Sequence, residues 1–86
     1  MNINELIAIV KNKLVTKIII QDIKIEDKSF LHKNHKGNQE GMFHLKLIIK
    51  SEELKTLSKI KSTKKIYSIL NLELKEHIHS IQILFS

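Results

Sequence analysis

A chain of 86 residues makes one domain, residues 1–86, because a polypeptide this short buries only roughly 60 to 65% of its unfolded surface and cannot feed two cores. It has no cysteine, which excludes disulfides, zinc–thiolate sites, a self-held iron–sulfur cluster and a cysteine nucleophile. The net charge of +6 favours phosphate backbones or acidic protein surfaces, but all 15 basic residues are lysine, so the arginine that reads guanine with two hydrogen bonds is missing.

The chain opens Met1-Asn2-Ile3-Asn4-Glu5, with neither a basic leader nor a long apolar stretch, so a cytoplasmic protein is expected. Its longest apolar run, Leu6 to Val10, is far below the roughly 18 residues of a membrane span. Ile3, Leu6, Ile7, Val10 and Leu14 recur at helical spacing behind an Asn2 and Glu5 capping box, which predicts a first helix. From Ile18 to Asp27 the period becomes two, with Ile19, Gln21, Ile23 and Ile25 against Asp22, Lys24 and Glu26, a half-buried strand. Residues 28–42 lose all periodicity and hold both glycines, Gly37 and Gly41, as well as His32 and His35. So long a loop in a small domain is more often functional than not.

Alternation returns with Leu45, Leu47 and Ile49 on one face and His44, Lys46 and Lys50 on the other, a strand expected to pair antiparallel with the first. Ser51 then caps a second helix in which Leu54, Leu57 and Ile60 are the apolar positions, ending near Lys61. Ser62 is expected to cap a third helix that buries Ile66, Ile69, Leu70 and Leu74, with Tyr67 beside the stripe and Leu72 off it. Ile78 to Phe85 alternates again, with Ile81, Ile83 and Phe85 on one face. Three strands with helices gathered on one face give an α+β layer architecture.

No glycine-rich phosphate loop, G-x-S-x-G elbow, HExxH pair or carboxylate cluster is present, so nothing assembles a nucleophile, a base and an oxyanion hole. A non-enzymatic protein is expected. What remains is histidine: His32, His35, His44, His77 and His79. His77 closes a helix, where its charge is favourable; His44 begins a strand on the solvent side. His79 shares the parity of Ile81, Ile83 and Phe85, which by itself points to a hydrogen-bonded residue at the core edge. A zinc site from H-x-x-H in the loop lacks a fourth ligand and a rigid frame. Two neutral imidazoles offered as a half-site, to a metal whose other ligands come from a partner, are the alternative.

The ordered set Asp27-Lys28-Ser29, His35, His44-Leu45-Lys46-Leu47, Ile66-Tyr67-Ser68-Ile69-Leu70 and Ile78-His79-Ser80-Ile81 resembles the BolA family over nearly the whole chain. The resemblance implies a KH-like (class II) α-β-β-α-α-β fold with a three-stranded mixed sheet and helices packed on one face. It also implies a partner of monothiol glutaredoxins in iron–sulfur cluster trafficking or iron sensing. The family's strand histidine falls at His79 and its loop ligand at His35, with His32 as the alternate. A shared 2Fe–2S cluster would take its thiolates from the glutaredoxin cysteine and glutathione. Histidine on one iron raises the reduction potential over an all-thiolate cluster, and the need for neutral imidazole predicts weaker assembly below about pH 6.5.

Two positions depart from the family pattern: Thr56 stands where glycine is usual, and Ser62-Thr63-Lys64 replaces Arg-His-Arg. The competing function is DNA or RNA binding through the basic segment Lys55, Lys59, Lys61, Lys64 and Lys65. No GXXG loop accompanies it, so phosphate attraction alone is left, which carries little sequence information.

Overall fold

The computed structural model describes residues 1–29 and 42–86. Helix α1 (Ile3–Lys17) starts where the capping box places it: the Asn2 side chain accepts the Glu5 N–H at 2.8 Å and returns a hydrogen bond to the Glu5 carboxylate at 3.0 Å. Leu6, Val10 and Leu14, spaced by four, form its buried stripe.

Strand β1 (Asp22–Asp27) pairs antiparallel with β2 (Phe43–Lys50), Ile23 opposite Ile49 and Ile25 opposite Leu47. The first strand is therefore shorter than the apolar pattern from Ile18 suggests. Ile18 caps the end of α1 and is buried in the core, while Ile19 is 69% exposed. Strand β3 (Ile78–Phe85) lies on the other side of β2 and parallel to it, giving the order β1-β2-β3 in a mixed sheet. Parallel neighbours need a long crossover, supplied here by three helices, α2 (Glu52–Lys55), α3 (Lys59–Ile69) and α4 (Asn71–Glu76).

The crossover differs from its sequence reading in where it breaks. The second helix ends at Lys55 rather than near Lys61, and Ser58, not Ser62, caps the third by accepting the Lys61 N–H at 3.1 Å. Ser62 instead points inward and donates to the Leu54 carbonyl at 3.0 Å, satisfying part of the loose end of α2. Ile60, counted as a core position, is 69% exposed as a result. The third helix also divides at Leu70, which is buried but sits at φ −96°, ψ 17°, outside helical geometry. Leu72, which has no place on the stripe, is exposed.

Leu6, Val10 and Leu14 of α1, Ile66 and Leu70 of the crossover, and Leu45, Leu47, Ile49 and Ile78 of the sheet form one core. All of it lies on one side of the sheet. The opposite face carries Lys24, Glu26, His44, Lys46, Ser80 and Gln82 and has no helix over it among the described residues. This α+β arrangement is compatible with the KH-like fold that the resemblance implies. No helix among the described residues is long and apolar enough to cross a membrane.

Candidate metal half-site on the open sheet face

The parallel pairing of β2 and β3 is irregular at its start. Phe43 faces Ile78, but the next residue of β2, His44, faces Ser80, so β3 carries one extra residue, His79. A bulge of this kind lets two neighbouring side chains share a face. Ile78 keeps its place in the core at 2% exposure, Ile81 returns to the inner side, and both His79 and Ser80 reach the His44 side chain on the open face. His79 is consequently an exposed residue, not one at the core edge as strict alternation from Phe85 back would have it.

His44 corrects a second expectation. Placed by parity on the solvent side, it is only 4% exposed. Ser29 holds its backbone, accepting the His44 N–H at 3.1 Å, and the Lys28 N–H donates to the His44 carbonyl at 2.7 Å. Its ring is gripped at both nitrogens, with Nδ1 2.6 Å from the Ser80 hydroxyl and Nε2 3.2 Å from His79 Nδ1. The two rings meet edge to face, centroids 4.8 Å apart and planes at 83°. A shallow depression lined by Lys28, His44, Lys46, Ser80 and Gln82 adjoins them.

A metal at His79 would need its other ligands from beyond the described residues of this chain. Among the described residues no three His, Asp or Glu side chains converge on one point, while His79 offers an exposed imidazole whose Nδ1 is already engaged. His35 and His32 lie outside the described residues. His77 caps α4, its N–H donating to the Glu73 carbonyl at 2.8 Å and its ring 3.9 Å from Glu76, and it takes no part in the cluster of rings.

The basic segment is less concentrated than its sequence suggests. Lys55 pairs with Glu52 at 3.4 Å and Lys65 with Glu53 at 2.9 Å. Lys59 and Lys61, two residues apart on α3, are separated by about 200° around the helix and cannot share a face.

Fold and site together define an α+β domain that presents an imidazole pair on the sheet face opposite its core. It belongs to the BolA family: the model of the BolA-like protein family matches residues 14–85. The chain is 30% identical over 73 residues to the DNA-binding transcriptional regulator BolA of Haemophilus influenzae, covering 85% of this chain and 68% of that protein. Among solved structures it resembles the BolA domain of SufE1 from Arabidopsis thaliana, with 28% identity and a TM-score of 0.77 over 92% of this chain and 87% of that one. BolA1 from the same plant shares the fold at a TM-score of 0.78 and 24% identity, with the same coverage of each chain.

Proposed function

We propose that this chain is a non-enzymatic cytoplasmic partner of a monothiol glutaredoxin, with which it co-ligates a 2Fe–2S cluster for iron–sulfur trafficking or iron sensing. His79 is the strand ligand, and His35, with His32 as the alternate, is the ligand from the segment between β1 and β2. The observation that carries this is the bulge in β3, which exposes His79 while its neighbour Ile78 stays in the core. The absence of cysteine leaves this chain without a thiolate, so the thiolates come from the glutaredoxin and glutathione. When bound, the cluster supplies electron-transfer or iron-donor chemistry; the residues of this chain hold it and tune it.

Coexpression with a monothiol glutaredoxin should give a coloured heterodimer. Its visible spectrum should be lost or altered by His79→Ala, and changed differently by His35→Ala and His32→Ala. A spectrum untouched by His79→Ala would remove the assignment.

A second role, as a nucleic-acid-binding regulator, is favoured by the name of the Haemophilus relative. It would use Lys55, Lys59, Lys61, Lys64 and Lys65. With Lys55 and Lys65 engaged by glutamates and Lys59 on the far side of α3 from Lys61, Lys61 and Lys64 remain for phosphates on one face, which predicts a slope of log K against log salt of about −2. No duplex affinity at low salt would exclude this role.

A further inference from the structure

We propose that His44 is a positioning residue for His79, fixing its ring so that Nε2, not Nδ1, is the nitrogen offered to a metal. This deepens the cluster-sharing role and rests on it. A neutral imidazole has one N–H and one lone pair. His79 Nδ1 lies 3.2 Å from His44 Nε2, so the nitrogen of His79 open to an outside partner is Nε2. For Nε2 to carry the lone pair, the proton of His79 sits on Nδ1 and is donated to His44 Nε2. His44 then carries its own proton on Nδ1 and donates it to the Ser80 Oγ 2.6 Å away. Among the described residues the row runs from His79 through His44 to a hydroxyl on an exposed residue, whose own hydrogen can turn to water.

The arrangement does what the outer partners of metal-bound histidines generally do: it selects the tautomer and orients the ring. Burial of His44 makes the anchor stiff, and the bulge makes it reachable from β3. His79 is thus exposed yet tethered, losing little rotamer freedom on meeting a partner.

The test reads proton positions directly. Long-range proton–nitrogen NMR of the metal-free chain, at about pH 8 where imidazoles are neutral, should show His79 and His44 mainly in the Nδ1–H form. His44→Phe should shift His79 towards Nε2–H, whereas His44→Gln, which can keep an acceptor near the place of Nε2, should leave it as Nδ1–H. Ser80→Ala changes only an exposed strand residue and should move His79 in the same direction as His44→Phe. In the heterodimer with a monothiol glutaredoxin, His44→Phe should speed cluster loss by about 10- to 100-fold, with His44→Gln close to the parent. Wild-type His79 found as Nε2–H, or a tautomer unmoved by both His44→Phe and Ser80→Ala, overturns the proposal even if His79 ligates. An unchanged cluster spectrum in His79→Ala with the Nδ1–H tautomer confirmed overturns the cluster-sharing role instead.

Discussion

Ser51 shows how much one hydroxyl can hold in a domain this small. It caps α2 by accepting the Leu54 N–H at 3.1 Å and donates to the Ile19 carbonyl at 2.7 Å, tying the crossover to the segment that follows α1. Ser51→Ala removes the cap and leaves a carbonyl without its donor, so urea denaturation should show a loss of about 1.5–3 kcal/mol. Ser51→Thr, which keeps the hydroxyl, should recover most of it. The cap was legible because serine followed by two glutamates marks a helix start. His44 was not, because period-two alternation assigns a side chain to a face without saying what lies over it. Only the meeting of β2, β3 and the Lys28–Ser29 turn closes that position.

Among the elements, the crossover is where patterning and tertiary structure part. Leu54, Leu57 and Ile60 fit a helical period, yet the chain breaks between them because Ser58 offers a better cap and Ser62 faces inward to the Leu54 carbonyl. Thr56 closes the end of α2, its hydroxyl donating to the Glu53 carbonyl at 2.7 Å. Glu53 then spans the break: its carboxylate accepts from Lys65 at 2.9 Å and from the Ile19 N–H at 3.2 Å. The Lys65 hydrogen bond first, and the Ile19 N–H next, hold its pKa below the ordinary 4.5. A carboxylate with a depressed folded pKa stabilises the fold above its unfolded pKa, and that contribution is lost as pH falls through the lowered value. Glu53→Gln should therefore be less stable than the parent at neutral pH, and the gap should narrow on acidification below about 4.5. A gap constant with pH in parallel urea titrations would show that Glu53 acts by shape alone. The bulge in β3 was equally hidden, since one inserted residue changes parity without changing composition.

For the molecule as a whole, the α+β class, the one-sided core and the antiparallel β1–β2 pair could be read from periodicity, because burying one sheet face leaves a period-two record in every strand. What joins the distant parts is less visible. Glu73 of α4 is 3% exposed and pairs with Lys13 of α1 at 2.6 Å, while its other oxygen, Oε1, has no hydrogen-bond partner among the described residues. Sixty residues separate the two, so no local pattern announces them. Lys13→Met should destabilise by about 1–3 kcal/mol by leaving a buried carboxylate unpaired. The double variant Lys13→Met/Glu73→Leu should regain most of that loss, because apolar packing can replace a buried ion pair. Thermal or urea unfolding of the single and double variants checks both.

The parallel partnership of β3 with β2 also orders events at the ribosome. β3 is translated after everything it touches, so until it arrives β2 keeps a bare edge that can recruit a foreign strand. The histidine couple straddles that last seam: His44 leaves the exit tunnel more than thirty residues before His79. A nascent chain thus brings its two imidazoles together only when the sheet is complete, and an unfinished copy carries His44 without its neighbour.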